Sequence, residues 1–218
     1  SEAEIGTFLE AAERLDAERK ARALAERTVE GGSKGEAWET KDRRPPVPQA
    51  PVWRLLLATG LRWGEAAALR WADYDADAGS IFVRAATTKG KRSRVVPVAP
   101  YLQEALGALR DAQAATIGRA PWPADALLLT PFGKPWHETG SHYRHDLFNR
   151  TLDAAGITKT DEAGRSLDVH ALRRTANTRL LRLGVPIMTT ATILGHADPK
   201  ITARHYSELR LADTLAAV

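Results

Sequence analysis

Two histidines, an arginine and a phenol stand close together near the end of this 218-residue chain. His170 and Arg173 lie in Val169-His170-Ala171-Leu172-Arg173-Arg174-Thr175, His196 in Leu194-Gly195-His196-Ala197-Asp198-Pro199, and Tyr206 in Ala203-Arg204-His205-Tyr206. Such groups can make and break a phosphodiester without a metal ion. A phosphoryl group in transfer spreads negative charge over its equatorial oxygens, so catalysis there is mostly positioning and electrostatic stabilisation. Arginine suits the task because its planar fork donates two parallel hydrogen bonds and stays charged. A tyrosine hydroxyl, with a pKa of about 10, needs a base and cationic surroundings to attack at neutral pH. What the cluster lacks is a second arginine, a lysine on a mobile turn and a basic surface.

The elements that would position these groups follow from periodicity and punctuation. Residues 168–183 read as a helix with His170 and Arg173 three apart on one face, Arg174 alongside, and Leu172, Ala176, Leu180 and Leu183 as the buried stripe. Gly184-Val185-Pro186 breaks it, a short helix over 187–194 is closed by Gly195, and Asp198-Pro199 opens the helix that carries Tyr206. Leu209, Leu211 and Leu215 mark a small terminal helix over 207–218. Upstream, Val52–Ala58 is a compact apolar helix stopped at Thr59-Gly60, and Glu65 begins another, so Arg62 sits in a tight turn between them. On that stretch alone Arg62 either pairs with Glu65 or Asp73 and holds the turn, or faces a ligand.

Two short strands, 80–85 and 94–98, flank a tip at Thr87–Ser93. From Arg84 to Arg94 there are five basic residues, Arg84, Lys89, Lys91, Arg92 and Arg94, and no acid. That run is either a solvated face or a probe for phosphates. Tyr74–Gly79 reads as a turn, 100–115 as a helix burying Leu102, Leu106 and Leu109, 126–129 as a third strand or a bridge, and 139–155 as a helix. Ser1 and Glu4 have the spacing of a capping box opening a helix over 1–29. Residues 30–51, rich in glycine and proline, are expected to be a flexible loop; Lys41, Arg43 and Arg44 there are solvated or touch phosphate, and Trp38 anchors packing. His137, His142 and His145 lack an acidic second pair at ligand spacing and read as surface histidines.

Bulk numbers bound the rest. Hydrophobic residues make up 44% and charged residues 27%, ordinary for a globular protein. No apolar run approaches the roughly 20 residues that span a bilayer, and no membrane partner is expected. With no cysteine, disulfides, thiolate catalysis and sulfur-ligated zinc are excluded. A charge of +4 permits nucleic acid as a partner without requiring it. No Gly-Lys-Ser/Thr phosphate loop and no carboxylate cluster for magnesium is present, so neither nucleotide nor metal cofactor is expected. The fold class is mainly α with a small antiparallel β-sheet (α+β), in one domain.

Taken together, Thr59-Gly60-Leu61-Arg62-Trp63-Gly64-Glu65, Thr88-Lys89-Gly90, His170-Ala171-Leu172-Arg173-Arg174-Thr175, and Leu194-Gly195-His196 followed by Tyr206 resemble the boxes of the tyrosine recombinases, the phage-integrase family. They occur in the family's order over about 52–206. The resemblance implies a catalytic-domain fold of the DNA breaking-rejoining type and roles residue by residue. Tyr206 is the nucleophile that forms a 3′-phosphotyrosyl bond. Arg62 and Arg173 clamp the phosphate, and His196 assists them. His170 takes the tyrosine proton, Lys89 protonates the leaving 5′-oxygen, and Glu65 orients the site. Arg84, Lys91, Arg92, Arg94 and Arg174 are expected on the DNA backbone.

The resemblance further implies site-specific recombination or integration on double-stranded DNA, by a homotetramer on DNA that is a monomer or weak oligomer without it. The compartment is cytoplasmic, at the nucleoid when acting. The terminal helix would pack on a neighbouring protomer, and a separate N-terminal DNA-binding domain would lie outside this chain. Relaxation of DNA in the manner of a type IB topoisomerase, and DNA binding without catalysis, are the alternatives. Three departures stand out. The step from His196 to Tyr206 is one residue longer than the commoner spacing, Arg174 stands where the family often has histidine, and the segment before Val52 is long.

Overall fold

The computed structural model describes residues 1–29, 44–160, 164, 166–196, 198, 200–204 and 207. The expectations for Trp38, Lys41, Arg43, Tyr206 and the terminal helix therefore lie outside the described residues. Seven α-helices carry most of the described chain: α1 (Glu2–Val29), α2 (Ala50–Thr59), α3 (Trp63–Ala67), α4 (Pro100–Ile117), α5 (Ser141–Ala154), α6 (His170–Arg182) and α7 (Ile187–Leu194). A three-stranded antiparallel sheet, β1 (Tyr74–Asp75), β2 (Ser80–Val83) and β3 (Arg94–Pro97), lies between α3 and α4 in the chain. This is the expected mainly helical class with a small sheet.

The central helix is α2, and its sequence explains why. It is apolar nearly all round, and Ala50, Val52, Trp53, Leu55, Leu56, Leu57 and Thr59 are all buried, as a helix without a polar face must be. Its first turn is closed from outside: the Asp16 carboxylate of α1 accepts the Gln49 and Ala50 N–H groups at 2.7 and 2.8 Å. α1 lies against it through Phe8, whose ring centroid is 6.1 Å from that of Trp53 and 5.6 Å from that of Phe148 on α5. Trp63, the first residue of α3, stands edge-on to Trp136 with centroids 5.1 Å apart and 6.3 Å from Trp53. That aromatic stack fixes the backbone beside Arg62.

Several boundaries differ from expectation. The segment over 30–51 is not loop to its end: Val47 and Gln49 are buried, and Gln49 Nε2 donates to the carbonyls of Val47 and Leu129 at 2.9 and 3.0 Å. Arg44 donates to the Thr116 carbonyl at 3.1 Å, closing the end of α4. The expected turn at 74–79 contains strand β1, because Tyr74 pairs with Ile81 and Asp75 with Ser80. Of the two alternatives expected for residues 126–129 the structure has the bridge, Arg70 pairing with Ala126 and Leu129 with Pro135. Leu183 is 78% exposed; α6 stops at Arg182, and its buried stripe runs through Leu172, Arg173, Ala176, Asn177 and Leu181.

Gly60 makes the junction between α2 and the Arg62 turn. Its φ of +62° favours glycine, and a β-carbon there would stand 2.3 Å from Leu194 Cδ2 and 3.1 Å from Ala176 Cβ. Gly60→Ala is expected to lower stability by at least about 1–2 kcal/mol, the cost of a left-handed residue alone. Urea unfolding of the two proteins measures it, and equal midpoints would refute this account of the junction.

Candidate active site

The turn after α2, the turn after α7 and strand β3 meet at one carboxylate. Glu65, in α3, is 1% exposed. Its Oε2 accepts the Arg62 N–H at 3.0 Å and its Oε1 accepts Arg62 Nη1 at 3.0 Å. Arg94 of β3 adds a fork on the same two oxygens, Nη2 to Oε2 at 2.7 Å and Nη1 to Oε1 at 3.2 Å. Burial raises the Glu65 pKa, but the bonds from Arg94 and from the Arg62 backbone outweigh it, leaving the carboxyl below its ordinary value. It is an anion at neutral pH.

Arg62 also reaches across the chain, donating Nη2 to the Gly195 carbonyl at 3.1 Å. Arg173 makes the converse link. Its Nη1 donates to the Gly60 carbonyl at 2.6 Å and its Nη2 to the Leu194 carbonyl at 2.7 Å. The two arginines thus hold the 60–62 turn and the 194–196 turn together, and each keeps further N–H donors for an anion. Arg173 is 4% exposed. Burial, then the like charge of Arg62, lowers its pKa to about 10, so it remains a cation at neutral pH.

His196 follows directly. Its backbone N–H closes α7 on the Ala191 carbonyl at 2.9 Å, and its Nδ1 shares a 2.7 Å hydrogen bond with the buried Thr202 hydroxyl. That bond fixes the ring. Arg62, Arg92, Arg94, Thr192 and His196 are among the residues lining a cleft of about 350 Å³ between the hairpin and the end of α7. His170 and Arg173 line a neighbouring pocket of about 120 Å³ with Trp63, Arg144, His145 and Asp168. Burial, then the Arg173 and other guanidiniums, holds the His170 pKa below its ordinary value despite Asp168. It is a neutral imidazole at pH 7, fit to accept a proton.

The structure thus gathers Arg62, Glu65, Arg173 and His196 around the two turns, with His170 beside Arg173. Lys89, Lys91 and Arg92 are exposed on the hairpin, held in shape by the buried Thr88 hydroxyl, which accepts the Arg92 N–H and donates to the carbonyl side at 3.1 Å. Tyr206 lies outside the described residues; helical residues 200–204 lead toward it.

Three expectations for the DNA-facing set need correction. Arg94 does not stand on the surface: its side chain is 7% exposed and pairs with Glu65. Arg84 is occupied by an ion pair to Asp73 at 3.1 Å and by the Ala68 carbonyl. Arg174 is exposed but turned to the far side of α6, where it lines a cleft with Glu2, Glu4 and Arg179. Arg94 could have been read as inward-facing. The period of two in a strand puts it on the face of Val96, which is buried, and opposite Val83, also buried.

The family model described as "Phage integrase family" matches residues 39–212. Tyrosine recombinase XerC of Listeria monocytogenes is 30% identical over 144 residues, covering 66% of this chain and 44% of that protein. An integrase/recombinase of Escherichia coli is 31% identical over 176 residues, covering 68% of this chain and 51% of that protein. The chain thus spans about half the length of such relatives. Among solved structures, XerA recombinase superposes with a TM-score of 0.65 at 24% identity, over 99% of this chain and 62% of that one. XerH site-specific recombinase, bound to a palindromic difH substrate after cleavage, gives a TM-score of 0.65 at 19% identity, over 98% of this chain and 51% of that one. These superpositions bear on the fold.

Thr202→Val keeps the shape of the side chain but removes the partner of His196 Nδ1. It is expected to slow the chemical step about tenfold, by analogy with loss of the partner that orients a metal-bound imidazole, with little change in substrate affinity. Single-turnover kinetics read both quantities, and an unchanged rate would show that His196 does not depend on this bond.

Proposed function

Because the chain belongs to the phage integrase family, that of the tyrosine recombinases, we propose that it cleaves and rejoins duplex DNA at a specific site through a 3′-phosphotyrosyl bond to Tyr206. The observation that carries this reading is the meeting of Arg62, Arg173 and His196 on two turns that cross-bond through the Gly60, Leu194 and Gly195 carbonyls.

In the cleavage step the Tyr206 oxygen attacks the scissile phosphorus and the bond to the 5′-oxygen breaks. His170 accepts the phenolic proton, and Lys89, carried by the hairpin, donates one to the departing 5′-oxygen. Arg62 and Arg173 hold the non-bridging oxygens, and His196 adds a hydrogen bond as negative charge grows. The covalent bond conserves the energy of the phosphodiester. Rejoining is therefore the same step in reverse with a different 5′-hydroxyl, and needs neither metal nor nucleotide.

The partner of this reaction is duplex DNA, met by the exposed Lys91 and Arg92 of the hairpin. Four copies, two on each of a pair of sites, would perform an exchange. Among the described residues no helix is long and apolar enough to cross a membrane.

The test uses a pool of nicked duplexes with randomised cores, from which covalently captured DNA is recovered and sequenced. The protein should retain a subset of sequences joined at the 3′-phosphate, and Tyr206→Phe none. Failure of the wild-type protein to retain any duplex, or retention by the Phe variant, would overturn the reading. Relaxation of supercoiled plasmid lacking the selected sequence would point instead to a topoisomerase.

The rate should also depend on pH with a defined sign. His170 acts as a base in its neutral form, and its pKa lies below the ordinary imidazole value. Its protonation should therefore depress adduct formation only below about pH 6.5, and His170→Gln should remove that limb. A midpoint above this value, or a limb that survives in the Gln variant, would assign the proton to another group.

A further inference from the structure

Arg94 lies within the site yet has no place in the chemistry just described. Its guanidinium is the most heavily bonded in the cluster. It forks onto both oxygens of Glu65 at 2.7 and 3.2 Å, and its Nε donates to the Ile193 carbonyl at 2.8 Å. Its plane is packed against the turn that precedes His196. A β-carbon on Gly195 would stand 2.7 Å from Nη1, 2.8 Å from Cζ and 3.0 Å from Nε. One side chain of β3 thus touches α3, the end of α7 and the turn into His196.

The arrangement of charge says what this does. Glu65 is buried and anionic, and two cations share it. The Arg94 side chain is 7% exposed, that of Arg62 33%. Attraction between charges is stronger where water is excluded, so Arg94 takes up most of the carboxylate's charge. Arg62 keeps its geometry from Glu65 without losing its positive potential to it. Without Arg94, the buried carboxylate would have Arg62 as the one guanidinium bonded to it among those described. It would draw that guanidinium inward, away from the cleft where an anion binds.

Building on the recombinase reading above, we infer that Arg94 is a positioning residue for the cleavage step: it neutralises Glu65 so that Arg62 can hold the scissile phosphate, and it seats the turn that presents His196. It touches no DNA. This differs from a phosphate contact on the hairpin, and it differs from a residue needed only for folding.

The experiment uses the nicked duplex that the wild-type protein captures, prepared with either a phosphate or a neutral methylphosphonate at the scissile position. Arg94→Met, Arg94→Lys, Arg62→Met and Arg94→Met/Glu65→Gln are compared for adduct formation, duplex affinity against salt, and thermal unfolding. On phosphate, Arg94→Met should slow adduct formation on the order of 10²-fold, like Arg62→Met. The salt slope of binding should stay the same, since no phosphate contact is lost. On methylphosphonate, where no non-bridging charge needs a clamp, both deficits should shrink to within about threefold. Adding Glu65→Gln to Arg94→Met should recover about tenfold, because the unneutralised carboxylate is gone.

Equal slowing on both substrates, no recovery with Glu65→Gln, or a salt slope reduced by about one would each overturn the inference. If Arg94→Met fails to fold, Arg94→Gln, which also removes the charge, carries the same comparison, and Arg94→Lys, which keeps the charge but not the fork, should slow adduct formation less than either. If the wild-type protein captures no duplex at all, the recombinase reading fails and this inference falls with it. Capture by wild type together with an unaffected Arg94→Met removes this inference alone.

Discussion

A single buried carboxylate, Glu65, sets the form of the site. It is 1% exposed, and ionised carboxylates persist in such surroundings only when paired and hydrogen-bonded. Here the pairing is double, with Arg62 from the same turn and Arg94 from β3. Breaking such a buried pair costs about 3–5 kcal/mol when one partner is removed. The sheet therefore cannot slide relative to α3 without leaving a charge uncompensated. Since Arg62 bonds Gly195 and Arg173 bonds Gly60 and Leu194, the constraint extends through guanidiniums and backbone carbonyls to the turn of His196.

The hydrophobic architecture supplies the rigidity that these polar links need. α2, buried on nearly every side, ends at Gly60, whose φ of +62° sends the chain toward Arg62. α7 ends at Gly195, with φ of +69°, and sends the chain toward His196. Two helix termini, each with its last carbonyls unsatisfied by its own helix, are placed side by side. Those carbonyls become acceptors for the two arginines. An arginine held this way loses little freedom when an anion arrives, because its fork is already oriented.

Much of this was legible in the sequence, and the failures have physical causes. The helices of α1, α4, α6 and α7 follow from apolar spacing and from glycine or proline at their ends, signals that depend on neighbours a few residues away. The histidines, Arg62, Arg173 and Glu65 could be singled out because glycine-bounded turns and the resemblance to known boxes drew attention to them. β1 was missed because two residues carry no alternation, and it exists through pairing with β2. Leu183 was assigned to the buried stripe because spacing alone does not reveal that α6 stops one residue earlier. Arg94 was placed on the surface because it belonged to a basic run. Strand alternation does put it on the inner face, but its partner Glu65 lies 29 positions away, and alternation does not say which acid it meets.

Arg84 and Arg94 show how little a run of charge says about individual members. Both close the basic stretch around the hairpin, yet Arg84 is drawn to Asp73 and Arg94 to Glu65. Only the residues between them project to solvent. Charge alone would assign all five to DNA, whereas strand alternation and the position of buried acids divide them into those that build the site and those that can reach a ligand. The positive potential in the cleft then follows from local arithmetic. Arg62, Arg94 and Arg173 face one carboxylate, and that carboxylate is largely taken up by Arg94, which forks onto both of its oxygens. An excess of buried cation is costly unless something anionic restores the balance. On the recombinase reading proposed above, a phosphate between Arg62 and Arg173 would restore it, and the excess charge would then contribute to binding and catalysis.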